Sequence, residues 1–219
     1  MDQIGSFRRE RPPRHHGYKL MEHKRLSIPL GGKIQMIRQS GTSRVERIVG
    51  GRRALYLKTY LYPPPKGPFR GIFRNTLFAP SRVAREWRAL KHLAAYGVQP
   101  DLGLWWEERR RFGLLLEARL LSLDFGGPDL ASAQGQELLE AHGPKGLGAL
   151  AAFVDALHDS GLRDPDFGLR NFLVRERGAS LQFAKIDSSS SWLRPPGPRI
   201  DRVRQRSRDR LFAELREAG

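Results

Sequence analysis

Between residues 164 and 187 the chain carries three oxygen-bearing side chains at usable spacings: Asp166, Asn171 five positions on, and Asp187 at the end of "LQFAKID". A carboxylate beside a hydroxyl can take its proton. A carboxylate and a carboxamide together can hold Mg2+, which fills its remaining sites with water and phosphate oxygens. Taken singly, these residues also read as a loop aspartate, an Asn in a turn and an aspartate ending a strand. Lys58 and Glu86 are two further charged residues, of opposite sign. Either one alone reads as an exposed strand lysine or a solvated helix glutamate.

The elements that must position these groups follow from periodicity. After "PLGG", the stretch "KIQMIRQSGTSRVERIVGGRRALYLKTYLY" alternates apolar and polar residues around two breaks, "SGTS" and "GGRR", which predicts three antiparallel strands with Lys58 on the third. "PPPKGPFRGIFRNTLFAP" is a loop. "SRVAREWRALKHLAAYG" then predicts a helix, with a Ser cap, Val83, Trp87, Leu90 and Ala94 on one face, and a stop at Gly97. "LGLWWEERRRFGLLLEARLL" adds two strands around a basic turn, completing a five-stranded sheet by residue 121. "QELLEAHGPKGLGALAAFVDALHDSG" is helical with a glycine-rich break. "NFLV" and "LQFAKID" are short strands joined by "RERGAS", and "DRVRQRSRDRLFAELREAG" is a closing helix. The expected class is α+β, with an arm at 1–28, a sheet portion at 29–121 and a mainly helical portion at 122–219.

Composition narrows the chemistry. The 219 residues include no cysteine, which removes disulfides, thiolate metal sites and a cysteine nucleophile. His15 and His16 lack a third ligand nearby, so a metal site there is not expected. The first twenty residues have no apolar core of the signal-peptide kind, and runs such as "LGALAAFV" are too short to cross a bilayer, so an intracellular protein is expected. The net charge is +16, and from Arg47 to Arg85 there are nine Lys or Arg and no Asp or Glu. Such a stretch attracts polyanions: nucleic acid, anionic lipid or a phosphorylated glycolipid.

The letters "DFG" at 166–168 pose one question. In protein kinases they mark the aspartate that holds magnesium, and an Asp with an Asn five residues later should then lie upstream. Asp155 sits in a helical pattern and Asp129 has no such Asn. With Asp166 as the catalytic-loop aspartate instead, the rest falls into register: Asn171, a strand, a turn, a returning strand and Asp187. "LHDSGLRDPDFGLRNFLV" followed by "FAKIDSSSS", with "LYLKTY" and "REWRALKHL" upstream, resembles the bacterial lipopolysaccharide kinase family, which includes Kdo kinases and inner-core heptose kinases. The similarity spans roughly residues 30 to 190.

That resemblance implies a protein kinase-like fold with ATP and Mg2+ as cofactors. Lys58 would pair with the α- and β-phosphates and Glu86 would hold it. Asp166 would orient the acceptor hydroxyl and take its proton, while Asn171 and Asp187 would hold the magnesium. "SGTS" is where such kinases cover the phosphates, which implies a role for Gly41 and Ser43; standing alone it is a hairpin turn. Two positions depart from the family pattern. Asp164 stands where a histidine usually braces the catalytic loop, so it either braces the loop differently or leaves activity reduced, and Ser188 follows Asp187 where an apolar residue is usual.

Only 32 residues follow Asp187, too few for the activation segment and helices with which a protein kinase holds a peptide. The expected activity is therefore phosphorylation of a Kdo or heptose hydroxyl on the lipopolysaccharide inner core or a lipid-linked sugar. The expected enzyme is cytoplasmic and peripheral at an anionic inner-membrane surface. The rival readings are a pseudokinase or nucleotide-binding scaffold, motivated by Asp164, and a basic nucleic-acid-binding protein, for which no RNA or DNA motif is present. An aminoglycoside-type kinase would carry a larger acidic substrate portion.

Overall fold

The computed structural model describes residues 32–62, 80–195, 197 and 200–218. The arm expected at 1–28 and the loop cations Lys66, Arg70 and Arg74 lie outside the described residues. Alternating side chains lay down β1 (Lys33–Gln39), β2 (Ser43–Val49), β3 (Leu55–Leu61), β4 (Gly103–Arg111) and β5 (Leu114–Leu123), paired antiparallel in the order β1-β2-β3-β5-β4. The expected basic turn between the last two is instead Phe112–Gly113, both with positive φ (50° and 79°), and Arg109 to Arg111 belong to β4. A two-residue turn with both φ positive matches the right-handed twist of the flanking strands, which a turn built from arginines does not.

Helix α1 (Arg82–Ala95) crosses the sheet. Ser81 caps it, accepting a hydrogen bond from the Ala84 N–H at 2.9 Å. It ends in a Schellman turn, where Gly97 (φ 68°) donates to the Ala94 carbonyl and Val98 to that of Leu93. Its buried stripe runs through Val83, Glu86, Leu90 and Leu93, so a carboxylate sits among apolar residues and Trp87 and Ala94 lie at the margin.

Four further elements precede the hairpin: α2 (Ala133–Ala141), α3 (Gly143–Asp159), the short β6 (Leu162–Arg163) and a single 3-10 turn at Leu169–Asn171. The helical break falls at His142 alone. The run "GPKGLG" continues as α3, with Pro144 in its first turn, where the missing N–H is not needed. β7 (Phe172–Arg177) and β8 (Ser180–Lys185) form the expected hairpin, with a tighter turn at Gly178 and Ala179. The segment after β5 runs along the other side of β7. Leu130 N–H donates to the Phe172 carbonyl, Val174 N–H donates to that of Pro128, and a Cβ at Gly127 would overlap the Val174 carbonyl. β9 (Trp192–Leu193) pairs with β6, a two-stranded unit too short for a periodicity signal, and α4 (Ile200–Ala218) packs on α3. Ion pairs Arg204–Asp159 and Arg208–Asp155 join those helices.

Two apolar clusters result. One, under the sheet, gathers Val83, Leu90, Leu115, Leu120, Phe125 and Ala184. The other, among the helices, gathers Leu93, Leu150, Leu157, Phe172, Val174 and Leu211. α1 and the β7–β8 hairpin contribute to both. They also carry Glu86, Asn171 and Asp187, so those polar groups lie along the seam between the clusters.

His158 sits in the helical cluster, stacked on Phe167 at 5.3 Å and hydrogen-bonded through Nε2 to the Ser207 Oγ at 3.0 Å. Burial, then the Arg163 and Arg204 guanidiniums, push its pKa from 6.5 down to about 4, against the opposing pull of Asp155 and a backbone hydrogen bond at Leu162. Between those two values the unfolded chain binds the proton that the folded chain refuses, so stability falls as pH drops from 6.5 towards 4 and is fully present above 6.5. Urea titrations across pH 4 to 7 should show a shallower loss for His158→Gln than for the parent; parallel curves would show that His158 does not drive the acid instability.

Candidate functional site

β3 brings Lys58 to the face that α1 covers, between Val45 on β2 and Leu120 on β5. Its Nζ lies 2.6 Å from Glu86 Oε1 and 3.7 Å from Asp187 Oδ1. Glu86 is 2% exposed, and its second oxygen, Oε2, is buried without a partner among the described residues. Burial alone would lower the lysine pKa, but the Glu86 and Asp187 carboxylates outweigh it and hold the ammonium well above its ordinary range. Neighbouring Tyr60 is pushed up to about 12, first by burial and then by Glu86, so it stays a neutral phenol.

Asp187 follows the end of β8 in the left-handed region, φ 54°, an uncommon conformation for a residue with a side chain. Its carboxylate is 43% exposed, reachable from solvent while lying 3.7 Å from the partly buried Lys58. Asn171 closes the hairpin from the other strand, its carbonyl accepting the Ile186 N–H at 2.9 Å. Its side-chain Nδ2 donates to the Asp166 backbone carbonyl at 3.1 Å, which leaves the amide oxygen as the atom a cation can use. Among the described residues no cluster of three or more His, Cys, Asp or Glu is present. The donor set is thus one half-exposed carboxylate and one carboxamide oxygen. That set suits Mg2+, which keeps several waters and takes substrate phosphates as ligands, better than a metal needing a full protein cage.

Asp166 faces a hollow of about 430 Å3 lined also by Arg170, Leu169, Arg210 and Glu214. Both of its oxygens accept from Arg170 Nη2 at 3.3 Å, an exposed ion pair of the kind worth about 0–1 kcal/mol, so the carboxylate is readily released to another partner. Its backbone N–H donates to Asp164 Oδ1 at 3.0 Å, and Asp164 Oδ2 accepts from Lys185 Nζ at 2.8 Å. Lys185 escaped the sequence reading although "LQFAKID" carries a signal: it is in phase with Phe183 on the buried face of β8, where an apolar residue belongs. Gln99, which accepts the Lys185 backbone N–H at 2.8 Å, left no signal of its own.

Lys58, Glu86 and Asp187 are therefore brought together, with Asn171 and Asp166 linked to them through the hairpin. Gly41 and Ser43 lie in the β1–β2 turn. There Ser40 Oγ accepts the Ser43 N–H at 3.0 Å and the Thr42 N–H at 3.4 Å, so these amides point into the turn. The basic stretch is also less bare than its letters imply. Arg47 pairs with Asp124 at 3.1 Å and Lys58 with Glu86, both acids coming from outside the stretch.

Removing one member of a buried ion pair strands the other, at a cost of about 3–5 kcal/mol, whereas removing both is far cheaper. Lys58→Met, which strands the buried Glu86, should lower unfolding free energy by about that amount, Glu86→Leu by less because Asp187 stays 3.7 Å from Lys58, and the double variant by much less than the sum. Additive losses in urea denaturation would show that the two side chains do not act as a pair.

No protein-family model and no curated protein matches the sequence. Among solved structures, the chain is similar to one described as WaaP in complex with acyl carrier protein, with a TM-score of 0.58 at 17% identity, over 84% of this chain and 72% of that one. The two chains share a fold.

Proposed function

We propose that the protein is an ATP- and Mg2+-dependent kinase that transfers phosphate to a Kdo or heptose hydroxyl of the lipopolysaccharide inner core or a lipid-linked sugar. The observation that carries this reading is the contact of Lys58 with both Glu86 and Asp187, at the end of a hairpin whose other strand begins beside Asn171. Phosphoryl transfer asks mainly for positioning and for compensation of phosphate charge, and a lysine held between two carboxylates at a solvent-reachable seam supplies a fixed cation. The fold shared with WaaP supports the scaffold of this reading, and the acceptor class rests on the sequence resemblance.

In this reading residues 29–121 present the nucleotide and 122–219 the acceptor. Lys58 binds the triphosphate and Glu86 keeps it extended. Asp187 and the Asn171 carboxamide hold Mg2+, which when bound neutralises phosphate charge. Asp166, released from Arg170, orients the acceptor hydroxyl and takes its proton. Among the described residues no helix is long and apolar enough to cross a membrane. Peripheral docking on an anionic cytoplasmic membrane surface fits the net charge of +16, at about 1 kcal/mol per well-placed Lys or Arg. In this reading Gly41 and Ser43 cover the phosphates, and the Ser43 amide does so only if the β1–β2 turn releases it from Ser40. That turn is the observation favouring the second reading, a pseudokinase that binds nucleotide without transfer.

The test is ATP consumption with purified lipopolysaccharide, with and without magnesium. Asp166→Ala should reduce transfer by about 100-fold or more and leave nucleotide binding nearly unchanged, whereas Asp187→Ala should weaken magnesium-dependent ATP binding. Turnover near the parent's in Asp166→Ala would sink the assignment. Exchanged roles would make "DFG" the metal-holding motif after all.

A further inference from the structure

We infer that the buried Asp164–Lys185 pair is a positioning clamp that sets Asp166 and Asp187 relative to each other; the roles of those two aspartates rest on the kinase reading above. The pair is fully buried, both side chains 0% exposed, and lies two residues before each aspartate. Its hydrogen bonds form one continuous chain. Lys185 Nζ donates to the Ile186 carbonyl at 2.9 Å and to Asp164 Oδ2 at 2.8 Å, while Asp164 Oδ1 accepts the Asp166 N–H at 3.0 Å. The groups at its two ends belong to the peptide units immediately preceding Asp187 and Asp166. Each functional aspartate is therefore held by the peptide that enters it.

Stability alone gives this pair little reason to exist. Two fully buried charges lose their hydration, and a well-packed apolar pair of similar volume is often as stable or more so. What an apolar pair lacks is an acceptor for the Asp166 N–H and a donor for the Ile186 carbonyl. The Ile186 end matters because Asp187 sits in the left-handed region, where a side-chain-bearing residue stays only if its surroundings over-determine it. The Asp166 end matters because Pro165 supplies no N–H, so the Asp166 N–H is the first after Asp164 that can tie the loop down. The ammonium is further fixed by lying 5.8 Å from the Phe172 ring, and the strand beneath it by the Gln99 hydrogen bond. A clamp of this kind does the bracing that a histidine at position 164 would otherwise do.

Two paired variants separate positioning from packing. Asp164→Asn with Lys185→Gln keeps hydrogen-bonding groups at both ends without charge. Asp164→Leu with Lys185→Met keeps the volume and loses both. The amide pair should stay within about 10-fold of parental kcat, and the apolar pair should fold yet lose about 100-fold in kcat at little change in KM for ATP, since a misplacement near 1 Å costs that much. Hydrogen exchange reads the clamp whatever the chemistry proves to be. The Asp166 amide should stay protected in the amide pair and open in the apolar pair, while α3 is unchanged in both.

Parental exchange and parental kcat in a folded apolar pair, or equal loss in both pairs, would overturn the clamp. If the apolar pair does not fold, Asp164→Asn with Lys185→Met takes its place, keeping the acceptor for Asp166 and removing only the Lys185 arm. The Asp187 backbone carbon shifts should then leave the range of a left-handed residue while the Asp166 amide stays protected, and unchanged Asp187 shifts would overturn the proposal. A parent inactive on every acceptor sinks the kinase reading, and the exchange contrast still decides the clamp.

Discussion

Charge buried at the seam between two apolar clusters is the constraint on which the rest of the site depends. The sheet cluster and the helical cluster meet along α1 and the β7–β8 hairpin, and Glu86, Lys58, Asp164 and Lys185 all lie there. A lone charge in such a place costs several kcal/mol, so each must find a partner before the surrounding side chains can close over it. Because the partners come from different elements, the pairing fixes how those elements meet. Lys58 on β3 sets the angle of α1 through Glu86, and Lys185 on β8 sets the path of residues 164–166 through Asp164.

The two pairs differ in what they leave unsatisfied. Lys185 and Asp164 bond one another and two backbone groups, and neither appears among the buried atoms that lack a partner. Glu86 Oε2 lacks one, and Lys58 has a second carboxylate, Asp187, at 3.7 Å, beyond hydrogen-bond range. A network with spare capacity on a half-exposed edge suits an incoming charged group, whereas a saturated one suits a fixed part. Lys58 with Asp187 belongs to the first kind and Lys185 with Asp164 to the second, although the two lysines look alike as letters.

Much of this was legible in the sequence because local signals agreed with the global arrangement. The sheet, α1 with its Ser81 cap and Gly97 stop, and the hairpin ending near Asp187 follow from alternation, capping and turn residues. The Lys58–Glu86 contact follows from their places on the third strand and the next helix. Other features stayed hidden for identifiable reasons. β6 and β9 are two residues each, below any periodicity. The glycines at 146 and 148 looked like a break, yet α3 runs through them because Leu150, Phe153 and Leu157 anchor the helix in the core. Asp164 could be seen as a departure, but its partner could not, since a lysine in an inward strand position shows its purpose only when the opposite wall is known.

Folding leaves the net charge of +16 as it is but changes which cations stand alone. Arg47 to Arg85 reads as a one-sign stretch, yet Asp124 neutralises Arg47 and Glu86 neutralises Lys58, so two of its cations serve the interior of the sheet portion. On α4, Arg204 and Arg208 are likewise spent on Asp159 and Asp155 of α3, and Arg210 on Glu214. What remains to act at a distance includes Arg52, Arg53, Arg82 and Arg85, all exposed, at the β2–β3 turn and the first turn of α1. Screening limits exposed charges to about 8 Å at physiological salt. An anionic partner therefore answers first to the exposed cations within that reach of the face on which it docks.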